Sequence, residues 1–153
     1  MKKLLIVSHA PSANTEKMLA AVLAGAQQSE FSNITADWIA PLAATPADVL
    51  ACDAIILGTT ENLGYMSGAL KDFFDRIYYP CLELKQGLSF SYYIRAGHDG
   101  TGTNNAIQSI CKGLKWRQIQ PELICRGPWQ EDFLTECHSL GESIACGLDI
   151  GIY

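Results

Sequence analysis

The chain has 153 residues, the length of one domain, with 48% hydrophobic and 18% charged residues and a net charge of −5. This composition supplies one sizeable core and excludes a disordered chain. It also argues against a nucleic-acid binder, because Lys2-Lys3 and Lys112 with Lys115 and Arg117 are too short for a basic stripe.

The N-terminal Met1-Lys2-Lys3 leads into an apolar run, Leu4–Val7, that turns polar at Ser8. That run is too short for a signal-peptide core, and no window approaches a transmembrane span, so a cytoplasmic protein is expected. A continuous apolar run reads as a strand buried on both faces. From Thr15, the residues Met18, Leu19, Val22, Leu23 and Ala26 recur at helical spacing. Asn33–Ile39 reads as a second strand, and Thr45 with Pro46 as the cap and first residue of a short helix. Asp53–Gly58 is a third strand. Ser67–Tyr78 is a helix with Leu70, Phe73, Phe74 and Ile77 on one face. The apolar stretch after it, Ile77 to Leu82, reads either as a patch for a dimer or higher oligomer or as a covered loop. Leu88–Ile94 is a fourth strand and Asn104–Leu114 a helix. Gln118–Cys125 is a fifth strand, which Pro121 assigns to a sheet edge. Glu131 to about Leu148 is the last helix. The six cysteines, Cys52, Cys81, Cys111, Cys125, Cys137 and Cys146, form no C-x-x-C pair and have no histidine at ligand spacing. They read as reduced, buried thiols, and no metal site is expected.

Strands alternating with helices imply a single α/β domain over residues 1–153. Its expected form is a three-layer sandwich, with a five-stranded parallel sheet of order 2-1-3-4-5 and helices on both faces. Ligands of such sheets bind beyond the carboxyl ends of the strands at the switch point. Three loops meet there. Ser8–Thr15 carries Ser12, Asn14 and Thr15 ahead of a helix N-terminus, which suits a phosphate monoester without any Lys or Arg; the same residues also suit a plain helix cap. Gly58–Met66 offers Thr59, Thr60, Glu61 and Asn62 as polar groups and Gly64 for a tight turn, with Leu63 and Tyr65 as a lip for a flat ring, unless Tyr65 packs on its own helix. Ala96–Thr103 brings three glycines with His98 and Asp99. A phosphate at one end and a flat ring at the other describes flavin mononucleotide (FMN).

The motifs resemble the flavodoxin superfamily. "SHAPSANTEKM" is similar to its phosphate loop, T/S-x-T-G-x-T, with Ala10, Pro11 and Ala13 departing from the pattern. "GTTENLGYMSGALKDFFDR", Gly58 to Arg76, resembles the corresponding block of the flavodoxin-like NAD(P)H:quinone reductases and NADPH-dependent FMN reductases. The matching positions are Met66, Ser67, Leu70, Lys71, Phe73, Asp75 and Arg76. "AGHDGTGT" is similar to their H-G-G segment at His98 and Gly100. The resemblance implies non-covalent FMN, held at the phosphate by Ser8, Ser12, Ala13, Asn14 and Thr15. Thr59, Thr60, Glu61, Asn62, Leu63, Gly64, Tyr65 and Met66 would flank the ring on one side, and Ala96, Gly97, His98, Asp99 and Gly100 on the other. No side chain is expected to be catalytic, because the flavin carries the chemistry. NAD(P)H as donor and a small-molecule acceptor or redox protein as partner follow from the reductase likeness. The function that likeness implies is an FMN-dependent NAD(P)H flavin or quinone reductase; a flavodoxin-type electron carrier and a flavin-free interaction domain are the alternatives.

Two other readings of this topology fail on residues. A phospho-receiver needs acidic residues where Ser8-His9 and Gly58-Thr59 stand. A serine hydrolase needs G-x-S-x-G, whereas Ser67 lies in G-x-x-S-G and suits a helix cap.

Overall fold

The structure, a computed structural model, describes residues 1–153. The elements are β1 (Lys2–Ser8), α1 (Ala13–Ala26), β2 (Ile34–Ile39), α2 (Pro46–Ala51), β3 (Ala54–Asn62), β4 (Tyr65–Met66), α3 (Gly68–Leu82), β5 (Ser89–Ala96), α4 (Thr101–Gly113), β6 (Arg117–Gln118), β7 (Leu123–Arg126) and α5 (Asp132–Asp149). The sheet runs β2-β1-β3-β5, with β6 and then β7 pairing along the outer edge of β5, and all of these pairs are parallel. That is the expected 2-1-3-4-5 order, and the chain has the expected α/β three-layer architecture.

Alternation along the central strands builds the two cores. Leu4, Ile6, Ala54, Ile56 and Tyr93 face α1 and α5, joining Met18, Val22, Cys137 and Ile144. Leu5, Val7, Ile55, Leu57, Phe90, Tyr92 and Ile94 face the other layer, joining Val49, Leu70, Phe73, Phe74, Ile77 and Ile107. Both faces of the central strands are therefore apolar and covered by helices. No helix is long and apolar enough to cross a membrane.

Four boundaries differ from the sequence reading. The five-stranded count becomes seven because the predicted fifth strand is two pieces, with Pro121 in the gap between β6 and β7, and because β4 is added. Side chains hold the gap. Gln118 donates to the Gln120 carbonyl (3.1 Å) and to the Glu122 carboxylate (3.0 Å), while Ser91 Oγ donates to the Gln120 carbonyl (3.0 Å). The third strand runs on to Asn62 and folds back antiparallel as β4, so the second loop is a hairpin. Helix α3 continues through Pro80 to Leu82, which makes the 77–82 stretch its last turn rather than a loop; Ile77 and Cys81 are buried and Tyr79 is exposed. Helix α4 starts at Thr101 instead of Asn104, so the third loop is shorter than its glycine content suggested.

Candidate functional site

The first loop begins at a clamped residue. Ser8 is 1% exposed, and its hydroxyl shares a 2.5 Å hydrogen bond with Tyr93 OH in the α1/α5 core. Burial pushes the Tyr93 phenol above its ordinary range, and the Ser8 bond partly offsets this, so the pair stays neutral. The Ser8 carbonyl accepts from Trp38 Nε1 (3.0 Å), and the next amide, His9 N–H, donates to the Gly58 carbonyl (3.0 Å). The Ser8 hydroxyl expected to face a ligand therefore points into the core. The reason is strand alternation, which gives Ser8 the same face as Leu4 and Ile6.

Beyond it, Ser12 is the N-cap of α1. Its Oγ accepts from Thr15 N–H (3.2 Å), and Thr15 Oγ1 accepts from Ser12 N–H (2.9 Å), a reciprocal capping box. Both hydroxyls thus have partners within the chain. The N–H groups of Ala13 and Asn14, at the positive end of the helix dipole, have none, and the Asn14 side chain is exposed and unpartnered. The loop contains both things its sequence allowed: a cap, and free donors beside it.

In the second loop, Leu63 and Gly64 both have positive φ, 54° and 72°, between paired Asn62 and Tyr65. This is the geometry of a two-residue type I′ hairpin. Leu63 is an unusual occupant, because a branched side chain in the left-handed region is strained, and it stands fully exposed at the tip (105%). Tyr65 beside it is 40% exposed. Thr59 and Met66 are buried: Thr59 Oγ1 accepts from Ser67 N–H (2.9 Å) and donates to the Thr60 carbonyl (2.9 Å). Thr60 donates to Asn62 Oδ1 (2.8 Å), which leaves the Asn62 amide nitrogen at the surface.

Glu61 joins the hairpin to the third loop. Its Oε1 accepts from His98 N–H (3.1 Å) and its Oε2 from Gly100 N–H (2.8 Å). Ala96 is buried, whereas Gly97, His98 and Asp99 are exposed. Asp99 Oδ1 accepts from Thr101 N–H (3.0 Å), and that bond holds its carboxyl below the usual range. Arg126 Nε donates to the Asp99 carbonyl (2.7 Å), so the loop is pinned from both sides.

Of the residues picked from sequence, the structure gathers Asn14 in the first turn of α1, Glu61, Leu63 and Tyr65 on the β3–β4 hairpin, and Gly97, His98 and Asp99 on the third loop as exposed or half-exposed groups at one end of the sheet. Ser8, Thr15, Thr59, Met66 and Ala96 lie beneath them as support. Sequence reasoning missed Trp38, Tyr93 and Arg126, which brace these loops from other elements; no motif marks them. The matched block from Gly58 to Arg76 also turns out to be mostly scaffold. Ser67 caps α3 through Leu70 N–H (3.2 Å), and Leu70 and Phe73 are fully buried. Arg76 binds the carbonyls of Pro41 and Ala44 (both 2.6 Å) and the Asp72 carboxylate (2.7 Å).

Known proteins share this fold. No family model matches the chain. Among solved structures, a flavodoxin from the domain Archaea superposes with a TM-score of 0.76 at 20% identity, covering 95% of this chain and 98% of that one. The WrbA-like flavodoxin from Agrobacterium tumefaciens gives 0.76 at 19%, covering 95% and 96%. Two-electron reduced Megasphaera elsdenii flavodoxin gives 0.75 at 20%, covering 94% and 98%. At these identities the likeness establishes the fold. The sequence carries it further, for a flavodoxin of Aquifex aeolicus (strain VF5) is 32% identical over 161 residues, spanning 95% of this chain and 86% of that protein. With strand order, loop placement and sequence in agreement over nearly its full length, this chain belongs to the flavodoxin superfamily.

Proposed function

We propose that the protein binds FMN non-covalently at the three loops and works as a carrier of electrons between redox partners. The observation that carries this reading is the chemistry of the donors. At the first loop, the N–H groups of Ala13 and Asn14 offer a cradle with no cation, suited to a phosphate monoester. Later in the chain, Leu63 and Tyr65 offer an exposed apolar lip beside the Glu61 carboxylate and the His98 and Gly100 N–H groups that it holds in the ligand-free protein. An isoalloxazine matches that set, with broad apolar faces and an edge that carries both carbonyl acceptors and an N–H donor. The residues present therefore fit the cofactor. Ala13, Asn14 and the α1 terminus would hold its phosphate. Leu63 and Tyr65 would cover the ring and exclude water, and Glu61, His98 and Gly100 would fix its polar edge.

Bound FMN supplies reversible transfer of one or two electrons, and the protein orients it and tunes its environment. A second reading, reduction of a quinone or free flavin at the expense of NAD(P)H, draws on the Gly58–Arg76 likeness. Much of that block is structural here, which is why the carrier reading stands first.

The test is direct. Titrating the purified protein with FMN should quench the flavin's fluorescence and produce a bound visible spectrum. Free flavin fluorescence that persists unchanged sinks the proposal. Steady oxidation of NADPH with an added quinone by the loaded protein would move the assignment from carrier to reductase.

A further inference from the structure

The Glu61 carboxylate and the third-loop amides answer one another so completely that little is left for a ligand. Both Glu61 oxygens are engaged, one on His98 N–H at 3.1 Å and one on Gly100 N–H at 2.8 Å. These amides lie 37 and 39 positions away in sequence, so the contact spans the opening between the hairpin and the third loop. A second contact closes the same opening. Gly102, in the first turn of α4, lies so near the hairpin tip that a Cβ added there would fall 2.0 Å from the Gly64 carbonyl oxygen. The tip itself carries Leu63 in a left-handed conformation and in full solvent exposure. Neither its strain nor its exposure is compensated by any contact of its own.

We infer that the 61–66 hairpin is a lid over the ring site, fastened by Glu61, and that a flat ring enters only after the carboxylate releases the His98 and Gly100 amides. Glu61 is thus a positioning residue with two bonding arrangements. With the lid down it satisfies the two backbone donors itself. With a ring in place the same donors serve a ring carbonyl, and the carboxylate is free to accept from the ring N–H. The exchange replaces two hydrogen bonds to an anion by bonds to the ligand, so it costs little at equilibrium but adds an opening step before association. The short type I′ turn moves as a unit, and exposed Leu63 changes from a solvated to a covered side chain only when a ring arrives. This inference rests on the FMN reading for the identity of the ring.

Two variants open the lid by different means. Glu61→Ala removes the fastening, whereas Gly102→Ala leaves Glu61 in place and pushes the hairpin tip off α4. In the cofactor-free protein, hydrogen exchange at His98 and Gly100 should accelerate about tenfold in both variants. In stopped-flow experiments with FMN and with riboflavin, the association rate should rise about tenfold in both. Glu61→Gln, which keeps a single acceptor oxygen, should fall between. Unchanged exchange at the two amides in Glu61→Ala overturns the lid, whatever the flavin does. An unchanged association rate together with faster dissociation also overturns it and makes Glu61 a simple ring contact. If neither the wild-type protein nor any variant takes up either flavin, the FMN reading and the gating fall together, while altered exchange would still establish the Glu61 fastening.

Discussion

Asn14 and Thr15 are neighbours with opposite circumstances. Thr15 is buried and tied into the capping box with Ser12, whereas Asn14 is exposed and bonds to nothing in the chain. The sequence treats them alike, as polar residues ahead of a helix, and only their orientation on the first turn separates them. Asn14→Ala should therefore leave the stability of the free protein within about 0.5 kcal/mol. It should weaken FMN about tenfold more than riboflavin, which lacks the phosphate. Thr15→Ala should cost about 1 kcal/mol before any ligand is added, because it removes the Oγ1 that accepts from Ser12 N–H and so half of the capping box. Urea unfolding and paired titrations with the two flavins check both. Leu63 poses the complementary case. Asparagine tolerates positive φ at this turn position far better than leucine. Leu63→Asn should thus raise the stability of the free protein by about 1 kcal/mol and weaken its hold on FMN. A variant that is no more stable would remove the argument that Leu63 is retained for a ligand.

At the level of elements, the boundaries that sequence periodicity located best are those where one physical signal acts alone. The apolar runs of β1 and β3 and the Thr45-Pro46 start of α2 are legible because burial or capping decides them locally. The misread boundaries involve partners remote in sequence. The hairpin after Thr60 depends on β4 pairing back onto Glu61 and Asn62. The start of α4 follows Gly100, whose positive φ sets the turn, and Asp99 just before it accepts from Thr101 N–H, in a stretch where Thr101, Gly102 and Thr103 have poor helix propensity. The broken edge strand depends on a polar cluster joining α4 to the gap. There, Tyr92 OH bonds to Asn104 Oδ1 and accepts from Gln108 (2.7 Å), and Gln108 also donates to Gln118 Oε1 (2.8 Å). Glu122 completes the cluster. Its own backbone N–H, with help from the Gln118 and Asn104 amides, holds its carboxyl below the usual range. A lowered folded-state pKa stabilises the protein above the unfolded value of about 4.3. That contribution is lost as the pH falls through the folded value. Glu122→Gln should therefore cost about 1 kcal/mol at neutral pH, and its stability should fall less steeply than the wild type's in acid. Parallel acid profiles would show that the Glu122 carboxylate contributes nothing to the edge.

For the molecule as a whole, the two apolar layers account for the cysteines as well as the fold. Five of the six are buried, and Cys146 alone is partly exposed. Burial pushes the Cys52 thiol up to about 12, and burial likewise raises that of Cys111. Thiolate is the reactive form, so native protein should react with a thiol reagent at Cys146 only, and all six should react once it is unfolded. Rapid reaction of two or more native thiols would show that the layers open far more readily than their packing indicates.

The sequence by itself determined the class of fold, the order of strands and the three loops that meet at one end of the sheet, because runs of apolar residues and capping signals are local and their spacing dictates which segments can be buried. It also determined the superfamily, through a block whose residues prove to be cap, core and loop anchor. What only the tertiary structure decided is which polar groups remain available: Ser8 turns inward to Tyr93, Ser12 and Thr15 satisfy each other, and Glu61 closes on His98 and Gly100. A hydrogen-bonding group is free or engaged according to what lies within about 3 Å of it, and for Ser8 and Glu61 that neighbour is brought in by the fold from tens of residues away in the chain.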